Sequence, residues 1–255
     1  MAEPDNRVAE IRRKMRNRGV TLGSWMQLDN PSVAEIMGSA GYDWVAVDLE
    51  HGHFSTSRLP DIFRALELKG TLPFARIAQG RTKDIKQALD AGARGLIIPM
   101  TESAAMIEKC ISQAFYPPSG TRGVGYSRAN LFGKHFDAYA ESHAGQILMV
   151  AQIESITGVD NLEEILAVKG LDAVIVGPYD LSGSMGITAD FNHPSFKKVL
   201  EKIRSLCKAA AIPCGYHVVR PDPKQLEEKI DSGYQFLAFG IDAVFLIHQA
   251  QVPEI

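Results

Sequence analysis

Long apolar runs are missing from this chain. None approaches the roughly 18 consecutive apolar residues that span a membrane. The beginning, MAEPDNRVAEIRRKMRNRG, is polar and charged and has no apolar segment of the secretory kind. Cysteine is scarce: Cys110, Cys207 and Cys214 are odd in number and form no C-x-x-C pair. Neither a disulfide framework nor a thiolate zinc site is expected from them. An excess of positive charge is lacking too, since the formal net charge is −3. Nucleic-acid binding needs a basic patch to neutralise phosphates, and nothing here argues for one. There is no P-loop, no G-x-S-x-G elbow and no H-E-x-x-H pair. The run GTRGVG is rich in glycine but follows no predicted strand, so it is weak evidence for phosphate binding. These absences predict a soluble protein of a reducing compartment, the cytoplasm, with neither nucleic acid nor membrane as partner.

Apolar residues are plentiful, at 45% of 255 residues, enough for a large core. A single (β/α)8 barrel takes about 250 residues, so one domain over residues 1–255 uses the whole chain. Eight short apolar, β-rich runs recur: TLGSWMQL, WVAVDLE, PFARIA, GLIIPM, QILMVAQIE, LDAVIVG, IPCGYHVV and FLAFG. They are continuous rather than alternating, which suits strands buried on both faces. Amphipathic stretches such as TKDIKQALDAGA and SFKKVLEKIRSLCKAAA separate them, several ending in glycine as a helix C-cap does. Eight strand–helix alternations predict a closed α/β TIM barrel. The alternative is an open doubly wound sheet, but no G-x-G-x-x-G turn follows the first run. Residues 6–18 read as a basic amphipathic helix that plugs the barrel bottom. The tail IDAVFLIHQAQVPEI is too apolar to lie free in water and is expected to pack on a barrel, a neighbouring subunit's included. Residues 116–145 form the longest connection, rich in glycine and proline, as functional loops often are.

In such barrels the active site lies at the C-terminal ends of the strands. Polar residues fall there on separate runs: Gln27, then Asp48, Glu50 and His51, then Arg76, then Gln152 and Glu154, then the Gly177-Pro178-Tyr179-Asp180 turn, then His217. Glu154 and Asp180 are one strand–helix unit apart, so they end adjacent strands about 4.8 Å apart. Bare, the two carboxylates repel and one must hold a proton. A hard divalent cation, Mg²⁺ or Mn²⁺, relieves the conflict through oxygen ligands. The alternative makes one a surface carboxylate and Asp180 a helix N-cap. Arg76, inside an apolar strand, must meet a carboxylate or an anionic ligand such as a 2-oxo acid. A structural salt bridge at the barrel mouth is the other reading. His51 can move protons near neutral pH, with Asp48 beside it to fix its tautomer. No lysine lies in or at the end of any of the eight runs, which argues against Schiff-base chemistry and leaves metal stabilisation of an enolate.

The segments GSWMQLDNPSVAEIMGSAGYDWVAVDLEHG, PFARIA, YPPSGTRGVG, AQIES and VIVGPYDLSGSMG together resemble the HpcH/HpaI family of class II aldolases. The resemblance runs from about Thr21 to Leu246 and implies a pyruvate-type aldolase dependent on a divalent metal, Co²⁺ or Zn²⁺ being further candidates. It implies that Glu154 and Asp180 are metal ligands, that His51 with Asp48 is catalytic, and that Arg76 steadies the enolate oxygen. Gln152 and Trp25 match residues lining the site, and Gly177, Pro178 and Tyr179 match the turn that receives the pyruvate carboxylate. The loop at Arg122 and Gly123 resembles one that closes over a site, a neighbour's included. The resemblance also implies a hexamer, a trimer of dimers, in which the last helix is exchanged between subunits. Tyr179 and His217 depart from the small and aliphatic residues found in some members. They bear on the aldehyde rather than on the enolate chemistry.

The activity implied is reversible cleavage of a 4-hydroxy-2-oxo acid to pyruvate, or a related 2-oxo acid, and an aldehyde. Two enzymatic alternatives keep the enolate and change its source: decarboxylation of oxaloacetate, or an acyl-CoA lyase, although no basic groove for a nucleotide is evident. A barrel that merely binds a small acid is the non-catalytic alternative.

Overall fold

A computed structural model describes residues 6–252. The first residues of the charged N-terminus and the end of the apolar tail, 1–5 and 253–255, lie outside the described residues. Each of the eight runs forms a strand: β1 (Thr21–Met26), β2 (Trp44–Asp48), β3 (Leu72–Arg76), β4 (Gly95–Ile98), β5 (Leu148–Ile153), β6 (Ala173–Val176), β7 (Cys214–Val218) and β8 (Phe236–Ile241). Each pairs in parallel with the next, and β8 closes on β1. Helices follow the strands and cover the outside, which is why strand residues are buried on both faces and the runs read as continuously apolar.

The barrel interior is a packed core. Trp44 stacks between Phe74 and Phe236, with centroids 5.2 and 4.4 Å away. Glycines in register make room for these rings. A Cβ on Gly23, opposite Trp44, would fall 2.1 Å from the indole, and one on Gly95, opposite Phe74, 2.6 Å from the phenyl ring. The N-terminal helix Arg7–Arg16 puts Val8, Ile11 and Met15 into this interior cluster, so it does plug the bottom. Its Arg12 clamps Asp172, just before β6, at 2.7 Å.

Residues 116–145 are not one irregular loop. They contain a helix, Phe136–Ser142, and short 3-10 turns. The last helix, Asp242–Gln249, leaves Leu246 54% and Ile247 70% exposed. No helix among the described residues is long and apolar enough to cross a membrane.

Candidate active site

The polar residues that end the strands meet at one mouth. Asp48, the last residue of β2, is fully buried, a position its charge can hold only if paired. Arg76 lies opposite it in the β2–β3 ladder and supplies the pair: Nε donates to Oδ1 at 2.9 Å and Nη2 to Oδ2 at 2.6 Å. Gln27 Nε2 donates to Oδ2 at 2.9 Å, and the backbone N–H groups of Glu50 and His51 donate to Oδ1. Burial pushes the Asp48 carboxyl up, but Arg76 outweighs it and holds the group below its ordinary value. Asp242, the first residue after β8, supports this network. It accepts the backbone N–H of Gln27 at 2.8 Å and of Leu28 at 3.0 Å, fixing where β1 ends.

Across the mouth Glu154, just past β5, is also buried. Met100 N–H donates to its Oε1 at 2.6 Å, and Gln152 Nε2 donates to its Oε2. Burial pushes its carboxyl up to about 7, with the charges of Glu50 and Asp180 adding to the shift and the Met100 N–H and Arg76 opposing it. Glu50 is raised as well, first by burial, then by Asp48 and Asp180, against Arg76 and His51. Its Oε2 lies 3.1 Å from Arg76 Nη1. The mouth therefore gathers Asp48, Glu50 and Glu154 around Arg76, with the charge of Asp180 acting on Glu50 and Glu154. A carboxylate surplus of this kind matches a hard divalent ion. Gln152 Oε1, buried and without a partner, is a further unused acceptor.

Gly177 follows β6 and leaves space beside these groups. A Cβ there would stand 2.7 Å from Glu154 Oε2 and 2.9 Å from Gln152 Nε2. Gly177, not Asp180, is the N-cap of the helix Pro178–Ser184. Asp180 lies exposed in the first turn and is not engaged in capping. Pro178 is buried, while Tyr179 is 37% exposed with its ring edge on Phe191. Trp25 lies beneath Arg76, whose Cζ is 5.4 Å from the ring centroid, and His217 stacks on the same indole. Among the described residues no group of three or more His, Cys, Asp or Glu side chains is placed to hold an ion alone. An ion here would rest on Glu154 and Asp180, its other positions open to water or substrate.

Most of the expected residues thus converge, with two exceptions. His51 is exposed, and it meets Asp48 through its backbone N–H rather than its imidazole. The carboxylate its ring charge acts on is Glu50. Arg122 is buried elsewhere, bonded to Asp90 at 2.6 Å and to Tyr139 Oη at 3.1 Å, with Tyr116 under its guanidinium. Asp90 ends the helix that precedes β4, so Arg122, with Gly123 beside it, sits at the end opposite this mouth. A cavity of about 670 Å³ also opens at that far end, between Arg18, Arg204 and Tyr234, and shares no residue with the mouth. The sequence places Gln27 and Glu50 at the mouth without a specific role and does not single out Asp242. Their placement at strand ends was the available signal.

Known proteins resemble this chain in sequence and fold. The family model for HpcH/HpaI aldolase/citrate lyase matches residues 21–249. A hydroxypyruvate/pyruvate aldolase of Roseobacter denitrificans is 36% identical over 243 residues, covering 92% of this chain and 92% of the relative. A 2-keto-3-deoxy-L-rhamnonate aldolase of Klebsiella pneumoniae is 36% identical over 230 residues, covering 89% and 85%. The crystal structure of an HpcH/HpaI aldolase/citrate lyase family protein from Burkholderia cenocepacia superposes with a TM-score of 0.89 at 29% identity, over 94% of this chain and 96% of that one.

Proposed function

Because the chain belongs to the HpcH/HpaI aldolase/citrate lyase family and is an aldolase, a carbon–carbon lyase, we propose that it reversibly cleaves a 4-hydroxy-2-oxo acid to pyruvate and an aldehyde, with a divalent metal ion. The observation that carries this reading is Glu154: a buried carboxyl pushed up to about 7, facing Asp180 and Glu50 beside one arginine. Glu154 and Asp180 are the residues that would hold the ion, and their oxygens suit Mg²⁺ or Mn²⁺, with Co²⁺ or Zn²⁺ as substitutes. When bound, the ion supplies electrostatic stabilisation of the charge that develops on the 2-oxo acid.

The chain's own residues do the rest. Arg76, fixed by Asp48, directs a permanent positive charge at the developing enolate oxygen. Asp48 acts through Arg76 and is a positioning residue. His51, exposed at the rim with its charge acting on Glu50, moves the proton of the 4-hydroxyl. Gly177, Pro178 and Tyr179 form the turn beside the 2-oxo acid carboxylate, and Gln152, Trp25 and His217 line the remaining walls. The exposed Leu246 and Ile247 support exchange of the last helix within a hexamer, a trimer of dimers. The loop at Arg122 and Gly123 lies away from its own mouth, so closing over a site would take a neighbour's barrel in such an assembly.

No lysine lies in any of the eight strands, which supports metal rather than imine chemistry. Pyruvate release from a 4-hydroxy-2-oxo acid should vanish on chelation and return with Mn²⁺ or Mg²⁺. Borohydride with pyruvate should trap nothing, and a reduced lysine adduct would overturn the proposal.

A further inference from the structure

β7 sends one polar side chain into the mouth. His217 is the half-buried member of an otherwise buried strand and lies in register with Ala238 of β8. Its ring stacks on Trp25, with centroids 4.6 Å apart and planes inclined by 22°. Its Nε2 lies 3.2 Å from the carbonyl oxygen of Gly240. A carbonyl has no proton to give, so Nε2 carries the hydrogen and donates. In a neutral ring Nδ1 is then a bare acceptor. No described residue donates to it.

The ring is neutral at physiological pH. Burial pushes it down to about 4, and the charge of Arg76 acts the same way, while the Gly240 carbonyl and Asp48 oppose both. A base this weak is mismatched to taking a proton from an alcohol near neutrality. It remains a good hydrogen-bond acceptor. Given the reading proposed above, on which this inference rests, the keto and carboxylate end of the 2-oxo acid sits among Arg76, Glu154 and Asp180, on the side of β3, β5 and β6. The remainder of the molecule then extends toward β1 and β7, where Trp25 offers a flat face and His217 an unused lone pair.

We propose that His217 is a specificity residue for the aldehyde: its Nδ1 accepts a hydrogen bond from a hydroxyl next to the reacting carbonyl, so the enzyme selects hydroxylated over plain alkyl aldehydes. Histidine in place of an aliphatic side chain on this strand has a physical consequence. An apolar wall accepts a methyl group and discriminates weakly against a hydroxyl, whereas an unfilled acceptor that the bound substrate closes off from water penalises the substrate that lacks the donor.

The test is aldol addition of pyruvate by the Mn²⁺-loaded protein to glycolaldehyde, acetaldehyde and methoxyacetaldehyde, read as kcat/KM. Glycolaldehyde should exceed acetaldehyde by roughly tenfold, the worth of one hydrogen bond. Methoxyacetaldehyde, which cannot donate, should lose that advantage. His217→Leu should bring the glycolaldehyde-to-acetaldehyde ratio to near unity, and His217→Asn, which keeps an acceptor, should retain part of it. The methoxy comparison needs no variant and stands even if both substitutions misfold. The inference is overturned if the preference is absent, survives O-methylation or survives His217→Leu. Deuterium exchange at the pyruvate methyl in the unsubstituted protein separates the two levels. Exchange without hydroxyl preference sinks this inference alone, whereas no exchange and no addition sinks the proposed function with it.

Discussion

Asp48 and Arg76 face each other in the β2–β3 ladder and close a two-pronged ion pair at 2.9 and 2.6 Å, almost wholly shielded from water. Removing one member of such a pair leaves a buried charge uncompensated, which costs about 3–5 kcal/mol. Glu50 at 3.1 Å partly compensates Arg76, so Asp48→Ala should fall at the lower end. Asp48→Ala with Arg76→Met removes both charges and should be less destabilised than Asp48→Ala alone. Urea unfolding followed by circular dichroism reads both. A double variant weaker than the single one would show that the pair is not the source of the loss.

Glu154 links stability to pH. Its carboxyl rises from 4.5 to about 7 on folding, so folding takes up a proton. The stabilisation is complete below 4.5 and is lost as pH climbs through about 7. In the presence of a chelator, the urea midpoint should fall over roughly pH 5 to 8, and Glu154→Gln should flatten that fall. A divalent ion competes with the proton for the same oxygens, so its affinity should strengthen across the same interval. A midpoint independent of pH in the metal-free protein would contradict this placement of charge.

Much of this site was legible before folding because a parallel barrel delivers every strand's C-terminal end to one face. That rule alone located Arg76, Glu154 and the Gly177–Asp180 turn. Contacts that depend on register were not legible. Local spacing pairs Asp48 with His51, three residues away, whereas its charged partner is Arg76 on the next strand. Gln27 and Asp242 meet because β8 closes on β1, a contact between residues 215 apart. The burial of Arg122 was not legible either. Its glycine-rich surroundings suggest a mobile loop, but Tyr116 from the same segment and Tyr139 from the helix beyond it lie against the guanidinium and Asp90 pairs with it.

Gly177→Ala separates site geometry from fold. The backbone there, at φ −90 and ψ 95, suits alanine as well as glycine. The new Cβ, however, would stand 2.7 Å from Glu154 Oε2, too close without displacing that carboxylate. A misplacement of about 1 Å in a catalytic group costs roughly a hundredfold in rate. Turnover should fall at least that far while the far-ultraviolet spectrum stays unchanged. Retained turnover would mean that Glu154 can move without consequence, and the ion-holding role would pass to other groups.

The last helix, Asp242–Gln249, tests assembly. One end is tied to the barrel: Asp242 accepts the N–H groups of Gln27 and Leu28, anchoring the helix start at the mouth. Farther along, Leu246 and Ile247 are 54% and 70% exposed, and Val252 beyond them is 87% exposed. Covering a side chain of this size contributes about 1.5–3 kcal/mol, and in a symmetric assembly each contact repeats in every subunit. Leu246→Glu with Ile247→Lys leaves the anchoring carboxylate untouched and places charges where the apolar surface would be covered. Sedimentation should shift toward smaller species than the unsubstituted protein forms, with a thermal midpoint that depends less on concentration. A double variant that sediments as the unsubstituted protein does would show that this helix lies against nothing, and the exchange of helices between subunits would be wrong.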